Sequence, residues 1–210
     1  MFNTYMQFKD VILLHEDFLN DFGFRLDGRS LYYVKEITLG KQMLFFHHTQ
    51  YEEVSYLEYH LGIRNEKVEN IVHRFLPSLG DYKERSITLV TTLDSIDSKL
   101  PRRFLVDNDQ EINEVIRGVE KFLVSKGFGY LDALSSGESL ERFFNSDIDT
   151  PIPTQNFTYR SARGATLAKL YNPKVYEDVK NKYLTMLHEK QVTPFTLASF
   201  INLLDYLEHI

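Results

Sequence analysis

Between Phe22 and Leu61 the chain reads FGFRLDGRSLYYVKEITLGKQMLFFHHTQYEEVSYLEYHL, in which aromatic and β-branched residues recur with a period of two. Asp27-Gly28 and Gly40-Lys41 punctuate those runs as turns. Alternate side chains of a strand face opposite ways, so the stretch predicts three or four antiparallel strands laid down in succession as a meander. In the second long strand Met43, Phe45, His47 and Thr49 point one way, and Gln42, Leu44, Phe46, His48 and Gln50 the other. Both faces are apolar near the middle, which predicts a central strand covered by helices on one side and by more chain or a partner on the other. In the next strand Val54, Tyr56, Glu58 and His60 alternate with Ser55, Leu57, Tyr59 and Leu61.

The rest of the chain must pack on or beside that sheet. Phe8, Val11, Ile12, His15, Phe18, Leu19 and Phe22 fall at helical spacing, so an opening helix is expected over 3–21 with Gly23 as its C-terminal cap. His15 within the stripe reads as a hydrogen-bonded core histidine. Asn65 offers an N-cap to a helix that Pro77 and Gly80 end, and RSITLVTTL (85–93) reads as a further strand. A polar loop (94–101) and a short strand (102–106) follow. Asp107 with Gln110 and Ser135 with Glu138 resemble capping boxes for two more helices, and Gly127 and Gly129 predict a sharp turn between them. Residues 145–156, polar with two prolines, mark the best internal boundary. Beyond them Asn172-Pro173 and Thr193-Pro194 each read as a helix cap followed by a first-turn proline. The fold class expected is α+β, a meander-like antiparallel sheet of four to six strands packed with helices over 1–146. A helical region over 157–210 follows, docked on the sheet domain or forming one compact domain with it.

Composition narrows the function. With 24 basic and 30 acidic residues the net charge is -6, which disfavours nonspecific binding to nucleic acid and favours a basic protein partner or a neutral ligand. The absence of cysteine removes thiolate chemistry and Cys-ligated zinc, and fits a reducing cytosol. No signal-peptide pattern and no membrane-length apolar run occurs, so a soluble cytoplasmic protein is expected. Phe and Tyr supply 29 rings, enough to build much of the core and to leave one face aromatic.

No nucleotide-binding, zinc-protease or serine-hydrolase motif is present, and no catalytic residue, cofactor or metal is assigned. His47-His48 is the most conspicuous doublet, but neighbours on a strand face opposite ways and cannot chelate one ion. A metal site would need one of the two plus ligands from elsewhere, for example His60 with Glu58 or Glu53, and no ligand spacing supports that. Glu52-Glu53 and the Asp94, Asp97, Asp107 and Asp109 clusters read as loop charges or caps. Arg160 and Arg163, in Tyr159-Arg160-Ser161-Ala162-Arg163, could grip an anion or a base, although a solvated helix start is the simpler reading. The candidate ligand-binding residues are therefore His48, His60, Tyr56, Arg160 and Arg163.

The order of elements carries a resemblance. A leading helix ends in Phe22-Gly23-Phe24, a hairpin runs through Gly28 and Tyr32-Tyr33, alternating strands follow, and a later helix leads into Phe128 to Leu134 and Ser136 to Phe144. Over residues 5–145 this resembles a group of small bacterial proteins classed as a domain of unknown function. Some similar-looking bacterial proteins neutralise toxins of neighbouring cells by binding them. By that analogy the chain is expected to be a non-enzymatic, immunity-like binding protein. The alternative is a small-molecule binding domain or enzyme with a pocket between sheet and helices, using His48 or His60 as acid or base.

Overall fold

The computed structural model describes residues 8–51, 54–76 and 80–210. The expected helix residues 3–7, Glu52-Glu53, Pro77 and the side chain of Phe8 lie outside the described part. The fold is α+β: a six-stranded antiparallel sheet accompanied by helices, with a helical C-terminal region. Strands β1 (Arg25–Asp27), β2 (Tyr32–Ile37), β3 (Gly40–Gln50) and β4 (Ser55–Asn65) form the expected meander. Two short strands, β5 (Leu89–Thr92) and β6 (Phe104–Val106), both pair with β4.

The chain divides into two compact units, the first ending at Gly62 and resuming over Val90–Asp132, the second formed by Ile63–Leu89 and Ala133–Ile210. This grouping differs from a division at 145–156. That stretch lies inside the second unit, where Arg160 donates to the carbonyls of Asp147 and Thr150 and Arg163 donates to Gln155. Its polar composition serves a hydrogen-bonded loop.

In the first unit, α1 (Phe8–Leu13) and α2 (Glu16–Asp21) cover one sheet face. The single helix expected there is broken at Leu14-His15. Tyr33, Leu44, Phe46, Leu57 and Tyr59 line the covered face, and Val11, Ile12 and Leu19 are buried with them. His15 is wholly buried, its Nε2 2.9 Å from the Tyr59 hydroxyl, and Tyr33 donates to the Ile12 carbonyl. The core reading of His15 holds. Gly23, at φ +84°, terminates α2: its N–H donates to Asn20 and that of Phe24 to Leu19, the paired pattern a left-handed residue makes possible.

Helix α3 (Glu66–Phe75) is capped by Asn65 as expected, but Gly80 opens α4 (Gly80–Arg85) instead of closing a helix, and α5 (Leu93–Ile96) replaces part of the polar loop. The N-caps of α6 (Asp109–Phe122) and α8 (Gly137–Asn145) are Asn108 and Ser136, one residue beyond Asp107 and Ser135. The turn expected at Gly127 and Gly129 is a correction. The chain continues through a π-helical turn (Leu123–Gly127) into α7 (Phe128–Ala133). A β-carbon on Gly127 would lie 2.9 Å from Leu123 Cδ2, so this glycine serves close packing.

The second unit is organised around α9 (Phe157–Tyr171), which packs against α3, α8, α10 (Tyr176–Glu189) and α11 (Pro194–Glu208). All residues from Arg160 to Ala168 are buried, and the run of serine, alanine and glycine lets neighbouring helices approach closely. Thr193-Pro194 caps α11 as expected, whereas Asn172 closes α9 and α10 begins four residues later.

This packing gives one substitution opposite signs at two glycines. A β-carbon on Gly164 would meet the buried Tyr183 ring, 2.5 Å from Cε2 and 2.7 Å from Cζ. Tyr183 cannot yield freely, because its hydroxyl donates to Asn145 Oδ1 at 3.0 Å. Gly164→Ala is expected to destabilise by about 2 kcal/mol, overpacking outweighing the helix propensity of alanine. Gly118, exposed on α6 with nothing within 4 Å of the added atom, is expected to gain about 0.5–1 kcal/mol from the same change. Urea unfolding of the two variants checks this, and equal signs would contradict it.

Candidate functional site

A cleft of about 700 Å³ opens in the second unit between one face of α8, the loop that follows it, and one face of α10. Helical spacing sets both walls: Glu138, Glu141, Arg142 and Asn145 on α8, and Asp178, Val179 and Lys182 on α10. Asp147 and Asp149 come from the loop, and Tyr171 and Asn172 from the end of α9. Glu138, Glu141, Asp147, Asp149 and Asp178 stand against two cations, Arg142 and Lys182, leaving three net negative charges on the lining.

The floor is fixed and the rim is solvated. Glu141 is 6% exposed and accepts from Asn145 Nδ2 at 3.1 Å and Asn172 Nδ2 at 3.2 Å. Asn145 also donates to the Gly164 carbonyl, which ties the floor to α9. At the rim, hydrogen bonds from the Thr150 side chain and backbone hold the Asp147 carboxyl below the usual carboxylate range. Asp149 is engaged by Lys182 at 2.6 Å. Exposed carboxylates over a rigid floor attract a cationic group without committing it to a single geometry.

No family model, curated protein or solved structure matches this chain. The site therefore rests on its own geometry. Among the described residues no group of three His, Asp or Glu could hold a metal ion, and no helix is long and apolar enough to cross a membrane.

The residues singled out in the sequence lie elsewhere. Tyr56 and His60 share the sheet face opposite the helix-covered one. There Phe45 stacks on His60 at 5.0 Å, His47 meets it edge-on at 5.3 Å, and Tyr56 contacts Tyr51 at 6.0 Å. His60 is 8% exposed, and its Nε2 lies 3.4 Å from Glu58, which also receives Arg102 and Arg103. Burial would raise the Glu58 carboxyl, but hydrogen bonds from Arg103 and Arg102 bring it below its ordinary value. Burial lowers the His60 ring against the opposing pull of Glu58. His48, one residue past His47, belongs to the other face, and burial lowers it too.

Arg160 and Arg163 are each 3% exposed, which corrects the reading of a solvated helix start. They also serve different partners. Arg163 forms a fork onto Glu69, Nε to Oε1 at 2.8 Å and Nη2 to Oε2 at 2.9 Å. Arg160 donates to the carbonyls of Phe144, Asp147 and Thr150, at and beyond the C-terminal end of α8, where a helix dipole favours positive charge. The cleft carboxylates escaped notice because each looks like an ordinary solvated helix or loop charge. The one available signal was the polar faces of α8 and α10, 138/141/145 and 178/182, which only the fold brings together.

Proposed function

We propose that the chain is a non-enzymatic protein-binding module, of the toxin-immunity type, whose acidic cleft seats lysine or arginine side chains of a basic partner. The observation that carries this reading is the cleft itself, with three net negative charges over a fixed floor. The overall charge of -6 supports it, since a negative field speeds encounter with a basic protein. The resemblance to small bacterial proteins of a domain of unknown function, some look-alikes of which neutralise toxins by binding them, points the same way, as analogy.

Calorimetry with a lysine-rich peptide tests the reading. The wild-type chain is expected to bind, with affinity falling as salt rises. The double variant Glu138→Gln/Asp178→Asn, which removes two exposed carboxylates and leaves Glu141 in place, is expected to bind about tenfold more weakly. Equal affinity in the variant, or no binding by the wild type at low salt, would remove the cleft as the site.

A further inference from the structure

We propose that the first unit carries a self-association surface, an exposed apolar stripe on which a second copy of this chain docks about a two-fold axis. Helix α2 lies alongside the helical run from α6 into α7, with His15 beside Glu120 at one end and the Phe22 and Phe128 ring centroids 4.5 Å apart at the other. Phe18 stacks on Phe128 at 6.2 Å and meets Phe22 at 5.0 Å, so the three rings form one cluster along the seam. Phe22 is 38% exposed. Leu14, four residues before Phe18, and Val124, four residues before Phe128 in the π-helical turn, are 41% and 57% exposed. Apolar residues scattered singly over a surface need no explanation, but five along one seam leave a patch in water of the kind that marks an interaction site.

Charge selects the occupant. On the α2 side the stripe is bordered by Asp17 and Asp21, both exposed and one helical turn apart. On the other side Arg117 and Lys121, also exposed and one turn apart, continue the helical face that carries Val124. Among the described residues none of these four charges is taken up in an ion pair. A partner of uniform charge would be repelled along one side of the stripe. A second copy, turned about a two-fold axis through the rings, sets the acidic side of each chain against the basic side of the other and apolar residues against apolar residues. The stripe is small beside a standard interface of roughly 20–30 residues a side, so the dimer it makes is a reversible one.

Sedimentation velocity of the full chain from micromolar to millimolar concentration tests the surface, with amide spectra of the ¹⁵N-labelled wild type as a readout that needs no variant. The chain is expected to move from monomer towards dimer, and the amides that shift with concentration to gather over Leu14–Gly23 and Lys121–Gly129. Val124→Gln, at an exposed position, is expected to weaken dimerisation about fivefold. Asp21→Lys brings a like charge against the partner's basic side and is expected to weaken it by about fivefold too. Adding Lys121→Glu to that chain reverses both sides and is expected to restore dimerisation to within about twofold of the wild type. A monomer throughout the range overturns the proposal. A dimer that Val124→Gln leaves as tight as the wild type, or concentration-dependent shifts gathered elsewhere, places the contact on another surface and overturns it as well. Failure of the second reversal to restore what the first removes overturns the two-fold pairing.

Discussion

Replacing Glu69 by alanine is expected to destabilise the protein by about 3–5 kcal/mol, the cost of leaving a buried guanidinium without its partner. Glu69 is fully buried on α3 and has four polar contacts from three side chains: the two-point fork of Arg163, the Thr88 hydroxyl at 2.8 Å, and His73 Nε2 at 3.2 Å. Burial would raise its carboxyl, but the Arg163 guanidinium more than offsets this and holds it well below the usual carboxylate range. Arg163 gives its remaining terminal nitrogen to Gln155 at 2.7 Å. The single variant strips the fork and strands the charge. The double variant Glu69→Met/Arg163→Met removes both charges and keeps apolar volume, so it is expected to cost less than the single one, because the desolvation of two ions is relieved together. Urea unfolding of the three proteins measures this. A loss under about 1 kcal/mol for Glu69→Ala would mean that the pair is solvated.

The second large effect is a dependence on pH that belongs to His15. Burial lowers this ring from 6.5 to about 4, with Tyr59 and Glu120 the polar groups beside it. Glu120 Oε1 approaches Nδ1 at 3.4 Å, and burial raises the Glu120 carboxyl as well. In the unfolded chain the histidine takes a proton below about pH 6.5, in the folded chain only below about 4. The unfolded state thus binds more protons within that window, so stability falls as the pH is lowered through it and levels off below. The loss from this group is about 3 kcal/mol by pH 4. His15→Gln, with an uncharged amide in place of the ring, is expected to flatten that part of the stability profile. A variant profile parallel to the wild type would show that His15 does not carry the effect.

The sheet was legible in the sequence because aromatic and β-branched residues recur with a period of two between turn residues. Leu44 with Phe46, and Leu57 with Tyr59, could each be assigned to one face of their own strand from parity alone, as could the separation of His47 from His48. Side-chain caps at Asn65 and Thr193 were equally plain, since each satisfies a backbone donor within three residues. What escaped was everything decided by distant partners. Gly127 reads as a turn until Leu123 and Phe122 are seen against it, and the arginines of α9 read as solvated until Glu69 and the α8 carbonyls are placed. Arginine periodicity carries no mark of burial, because the compensating carboxylate lies 94 positions earlier in the chain. The cleft is of the same kind, assembled from two helices and a loop whose separate sequences show only polar faces.

Mapping a lysine-rich peptide onto the ¹⁵N-labelled chain tests the binding proposal most directly. Amide shifts are expected to concentrate over Glu138–Asp149 and Asp178–Lys182, the two walls of the cleft, and to weaken together as salt is added. Shifts gathered on the sheet face around Tyr56 and His60, or no saturable shifts at low salt, would contradict it.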